Sequence, residues 1–139
     1  MTSSLDEICE TFDLLGEDWD ERYRYIIELG RALPPMAPAD KTPANKVRGC
    51  ASQVWMSARL SEDIPRRLIL AADSDAHIVR GLIAILLAIY NAKTPREAAG
   101  LDARAILDKL KLANALSPTR TNGLHAMVAR IQDLAHKAA

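Results

Sequence analysis

The chain has 139 residues, 49% of them hydrophobic and 26% charged, with 18 Lys and Arg balancing 18 Asp and Glu. That length suits one domain, residues 1–139, burying about two thirds of its unfolded surface, and the apolar fraction excludes an intrinsically disordered chain. Zero net charge removes the electrostatic footprint of a nucleic-acid binder, and two cysteines, Cys9 and Cys50, exclude a disulfide-stapled scaffold.

Two helix starts open the chain. Ser4 precedes Glu7 by three residues and Asp18 precedes Glu21 by three, the spacing of a capping box. The first helix is expected from about Leu5 to Leu15, stopping at Gly16; the second carries Trp19, Tyr23, Ile26, Ile27 and Gly30 on one face. The acidic N-terminus lacks the basic and apolar segments of a signal peptide, which gives a cytoplasmic expectation and reduced thiols. Four of the seven prolines fall between Pro34 and Asn45, and proline supplies no backbone donor, so this stretch is a loop.

From Lys46 the apolar period changes to two. Val54, Met56, Ala58 and Leu60 alternate with more polar neighbours as in a half-buried strand; a turn at Ser61–Pro65 leads to a second strand from Arg67 to Ala72. Lys46 to Arg48 is expected as a short third strand, with Gly49-Cys50-Ala51 in the loop that follows. Helices then resume. Ile78 to Tyr90 is apolar on nearly all sides, and its unbroken apolar run of nine residues is far short of the ~20 a membrane span needs. Ser74-Asp75 is expected to cap it. Thr94-Pro95 starts a short helix ended by Gly100, Asp102 caps another to about Leu112, and Ser117-Pro118 starts the last, with Leu124, Met127, Val128, Ile131 and Leu134 inward. The fold class is α+β, with a small antiparallel sheet of about three strands, helices on one of its faces and helices at both termini.

The charges divide along the chain. Residues 1–45 hold ten acids and four bases, a net of −6; residues 46–139 hold eight acids and fourteen bases, a net of +6. Two readings stay open: charged faces that attract each other within the fold, or a steered docking surface.

Chemistry narrows to few residues. Cys9, Cys50, His77, His125 and His136 show no CxxC or HxxxH spacing, so no metal site is expected. The glycines are scattered singly, which gives no phosphate loop, and no GxSxG elbow is present. Cys50 follows Gly49, and Lys46 and Arg48 close by in sequence favour a thiolate; a buried apolar filler is the competing reading. His77, just before the apolar helix, is either a base for Cys50 or an exposed helix-end residue. Arg120 puts a cation in the first turn of the last helix, against the helix dipole, and is either functional or simply an exposed arginine.

The segments around these residues resemble the SufE family of sulfur acceptors. The matching stretches are Tyr25-Ile26-Ile27-Glu28-Leu29-Gly30, Gly49-Cys50-Ala51-Ser52-Gln53-Val54-Trp55, Asp73-Ser74-Asp75-Ala76 leading into Ile78-Val79-Arg80-Gly81-Leu82-Ile83-Ala84, then Ser117-Pro118-Thr119-Arg120 and Gly123-Leu124. They span roughly residues 19–130. Ala51 stands where a polar residue is common in the family, and Ala72 where a glycine is frequent.

The resemblance implies that Cys50 takes the terminal sulfur of a persulfide from a pyridoxal-phosphate-dependent cysteine desulfurase. It then holds that sulfur and passes it to a scaffold complex for iron–sulfur cluster assembly. No cofactor of its own is implied, because the pyridoxal phosphate belongs to the partner. No membrane or nucleic-acid partner and no turnover by the isolated chain are expected. The free protein's cysteine loop is expected to sit in an apolar pocket supplied by Trp55, Met56, Ile78 and Leu82. Gly49, Arg48, Arg120, Trp55 and His77 are the supporting residues. A cysteine hydrolase using Cys50 and His77, a non-catalytic adaptor, and a cluster scaffold are the alternatives.

Overall fold

The computed structural model describes residues 4–50, 52–112 and 116–138. Helix α1 runs Leu5–Leu15 and α2 runs Trp19–Ala32; Ser4 Oγ accepts from the Glu7 N–H at 3.2 Å and an Asp18 carboxylate oxygen accepts from the Glu21 N–H at 3.2 Å, so both expected caps form. The buried face of α2 is Arg22, Ile26, Leu29 and Gly30, rotated from the expected one. Arg22 takes one of the inward positions. Its guanidinium donates to the Phe12 carbonyl at 3.1 Å and lies over the Phe12 and Trp19 rings, which lets a cation occupy an inward position.

The proline-rich stretch contains two single-turn 3-10 helices, Pro38–Asp40 and Pro43–Asn45. Strands β1 (Val54–Leu60) and β2 (Leu68–Ser74) pair antiparallel, with Val54 opposite Ser74 and Leu60 opposite Leu68. The expected third strand reduces to one bridge between Lys46 and Trp55, in which the Val47 N–H donates to the Val54 carbonyl at 2.8 Å. Gly49, with φ of 90°, then turns the chain away before a ladder can extend. The sheet among the described residues therefore has two strands.

Helix α3 (His77–Tyr90) buries eleven of its fourteen residues and packs against α2 and β2, as its all-round apolar sequence requires. Its N-cap is Ala76 with no side-chain cap; Ser74 Oγ accepts from the Ala76 N–H instead, and the Asp75 carboxylate accepts from the Gln53 N–H. The α2–α3 contact depends on two glycines. A Cβ on Gly30 would lie 2.7 Å from the Gly81 nitrogen, and one on Gly81 would overlap the Ile26 carbonyl oxygen. Helix α4 (Pro95–Ala99) has the full capping box between Thr94 and Glu97. Helix α5 (Ala103–Lys109) ends before the expected Leu112, and Lys111 takes a positive φ of 57° just beyond it. Helix α6 (Pro118–Ala138) turns Leu124, Met127, Val128, Ile131 and Ala135 inward, while Leu134 is half-buried. Gln132 Nε2 ties α6 to its neighbours by donating to Tyr90 Oη at 2.7 Å and to the Ala98 and Leu101 carbonyls at 3.2 Å.

A buried ionic joint holds four segments together. Asp73, 2% exposed, accepts from the Met36 and Ser74 N–H groups and pairs with Arg80 and Lys41. Arg80 also donates to the Gly30 and Leu33 carbonyls at the end of α2. Burial, the largest influence on Asp73, pushes its carboxyl up, but the two N–H donors and the two cations together push harder, and the group lies below the usual carboxylate range.

Candidate functional site

Cys50 ends the turn that Gly49 begins. The positive φ of Gly49 suits a residue without Cβ, and an added Cβ would come within 3.3 Å of Ala126 Cβ, so the turn is laid tightly on α6. The Cys50 thiol donates to the Gly123 carbonyl at 3.5 Å. Cys50 is half-buried and has no disulfide partner, as is also true of Cys9.

The cysteine lines a cavity of about 220 Å³ shared with Ser52, with Val79 and Leu82 of α3, and with Ser117, Thr119, Arg120, Gly123 and Met127 at the start of α6. The floor is apolar; hydroxyls and one guanidinium supply the polar groups. A larger groove of about 480 Å³ lies beside Leu33, Pro34, Met36, β2 and α3 and holds no cysteine or histidine. Burial pushes the Cys50 thiol above its ordinary pKa. The expected thiolate-favouring effect of Lys46 and Arg48 is absent, because both side chains are exposed to solvent. At neutral pH the free protein thus holds a protonated, partly shielded thiol. Among the described residues no group of three or more His, Cys, Asp and Glu is placed to hold a metal ion.

Comparison with known proteins supplies the family. The family model described as "SufE: Fe-S metabolism associated domain" matches residues 6–135. The chain belongs to the SufE family. It is 53% identical over 133 residues to an uncharacterized SufE-like protein of Rhizobium etli, covering 94% of this chain and 88% of that one. It is 47% identical over 131 residues to another from Rhizobium meliloti, covering 94% and 93%. The fold is similar to the solution structure of a hypothetical protein from Thermus thermophilus, with a TM-score of 0.76, 20% identity, and 96% and 94% of the two chains covered. That likeness supports the α+β architecture.

Within this SufE-family fold the expected supporting residues separate. Gly49 and Arg120 flank Cys50, Gly49 as its neighbour on the turn and Arg120 on the cavity wall. Arg48 is exposed beside the turn. His77 does not meet the cysteine: it is exposed at the first residue of α3, about 200° around the helix from Val79, which does line the cavity. Trp55 also lies elsewhere. The two-residue period puts it on the sheet face opposite Val54 and Met56, where the Lys41 ammonium sits 5.3 Å from its ring centre. Of the four expected pocket residues only Leu82 lines the cavity; Met56 and Ile78 are buried elsewhere in the core. Ala51 lies outside the described residues, and Ala72 is buried in β2.

The site residues not singled out as such from sequence are Ser52, Val79, Ser117, Thr119, Gly123 and Met127. The early proline and Ser117 cap of α6 were the available signal, since Ser117 Oγ accepts from the Arg120 N–H at 3.3 Å and so fixes where Arg120 leaves the helix. No helix among the described residues is long and apolar enough to cross a membrane.

Proposed function

We propose that this chain is a cytoplasmic sulfur acceptor that takes persulfide sulfur from a pyridoxal-phosphate-dependent cysteine desulfurase onto Cys50, stimulates that desulfurase, and passes the sulfur on for iron–sulfur cluster assembly. One observation carries the reading: a free thiol at the end of a glycine turn, on the lip of a cavity with room beyond the sulfur. The family's association with Fe-S metabolism supports it.

In the transfer the Cys50 thiol loses its proton to solvent or to the departing thiolate. Its sulfur attacks the terminal sulfur of the donor persulfide, the donor's S–S bond breaks, and the donor cysteine leaves as a thiolate with the bonding pair. One S–S bond replaces another, so no outside oxidant or reductant is needed. The cavity beside Cys50 accommodates the added sulfur, and its apolar floor limits access of oxidants to it. Emptying the carrier repeats the step with a recipient thiol in the attacking role, which is why a second cysteine in this chain is not required.

The deciding experiment measures sulfide release by the desulfurase with wild-type protein and with Cys50→Ser, alongside intact-mass spectrometry. Stimulation by wild type, with one sulfur atom added at Cys50, and none by Cys50→Ser is the expected result. Equal stimulation by both proteins would instead establish a non-catalytic adaptor. A hydrolase reading has no support in the site, because none of the three histidines lines the cavity.

A further inference from the structure

The proposal here rests on the reading of Cys50 as a sulfur acceptor and deepens it by naming the chemistry of the surface that meets it. The segment 44–50 lies lengthwise along α6. Arg130 Nη2 donates to the Ala44 carbonyl at 2.9 Å, Gly49 abuts Ala126, and Cys50 donates to Gly123. Lys46 and Arg48 on the segment therefore share one face with Arg120 and Arg130 on α6, and Cys50 lies among them. The sequence from residue 42 to 54 contains no carboxylate, nor does that from 118 to 132. Of the bordering acids, Asp133 pairs with Lys137, and Asp75 accepts from the Gln53 N–H.

Among the described residues none of the four cations forms an ion pair with an acid, a condition they share with other bases such as Arg66. The N-terminal acids are consequently not spent on neutralising this face. The −6 sits on α1, which holds four acids and no base, and on Glu17 and Asp18 beyond it, while α2 is neutral, with Glu21 and Glu28 paired to bases of their own helix. Uncompensated cations on the face bordering a reactive group speed arrival of an oppositely charged surface by long-range steering, even where none is close enough to offset the burial of the thiol itself.

We propose that the face formed by Lys46, Arg48, Arg120 and Arg130 is an electropositive docking surface for an acidic protein surface surrounding the donor's persulfide. Its effect falls on the encounter rate, and salt screens it, because the Debye length shrinks to about 8 Å at physiological ionic strength.

The test follows the initial rate of Cys50 persulfide loading by the cysteine desulfurase of the same cell, at sodium chloride from about 20 to 300 mM. The proteins compared are wild type, Arg48→Gln, the double variant Lys46→Glu/Arg48→Glu, and Arg66→Glu on the exposed hairpin as a distant charge reversal, each checked for an unchanged melting temperature. Wild type and Arg66→Glu are expected to load at the same rate and to slow as salt rises. The double variant is expected to be slower at low salt by about five-fold or more, with Arg48→Gln between, and to lose most of the salt dependence. Salt-independent loading, with the double variant equal to wild type, overturns the docking surface and leaves the sulfur-acceptor reading standing. Absence of loading of wild-type Cys50 at every salt concentration overturns both. Preferential binding of a random DNA duplex over the desulfurase at physiological salt assigns the face to a different partner class and also overturns the proposal.

Discussion

At the scale of a residue, the chemistry turns on how much water Cys50 sees. Burial raises its pKa, and no cation is close enough to reverse that, so the thiol is expected to stay protonated at pH 7. Alkylation of the free protein by iodoacetamide at pH 7 should accordingly be slower than that of a small thiol and should rise steeply as pH climbs past the thiol's ordinary range, about 8.5. A rate matching the small thiol at pH 7 would contradict the shielded site. Cys50 stands out in the sequence through the local family motif around it, whereas the chemistry of its neighbours alone leaves a buried apolar filler as the competing reading. Its surroundings are not legible there: Ser117, Arg120 and Met127 reach it from some seventy residues away, and sequence spacing is silent about packing at that range. Trp55 shows the same limit at short range: strand alternation points it to the face opposite Val54 and Met56, away from the cavity.

Among the elements, caps and turns were the most readable features, because each is a short-range hydrogen bond with a fixed offset. Ser4, Asp18, Thr94 and Asp102 all cap the helices they were expected to start. The failures share a different cause. On α2 a buried arginine is held by a carbonyl ten residues away, and the third strand depends on a turn that Gly49 makes too early; neither is a periodic property. The tightest joint is α2 on α3, where backbone meets backbone at Gly30 and Gly81. Gly81→Ala places its methyl against the Ile26 carbonyl, and relief requires α2 and α3 to separate. A loss of about 1–3 kcal/mol is expected from chemical denaturation, the range for overpacked cores. An unchanged midpoint would show that the helices are farther apart than described.

Across the whole molecule, the Asp73 carboxylate joins the proline-rich loop, β2 and α3, and its partner Arg80 extends the joint to the end of α2. The Asp73 pKa is lowered on folding, so the folded state binds the proton less tightly than the unfolded chain. The stabilisation is complete above the unfolded value, near 3.9, and is lost as pH falls through the lower folded one. Asp73→Asn should cost about 3 kcal/mol at pH 7, because Arg80 is left half-buried without its counter-charge. The gap between variant and wild type should narrow under acid, from about pH 4 downward. Denaturation midpoints across that range decide it, and a gap that stays constant with pH would mean the carboxylate's charge contributes nothing. A last consequence comes from the bond between Cys50 and the Gly123 carbonyl. The acceptor there is a lone pair, so it rewards sulfur only while sulfur carries hydrogen. The same proton that tethers the turn to α6 must depart before the sulfur becomes a nucleophile, which makes anchorage and reactivity mutually exclusive states of one atom.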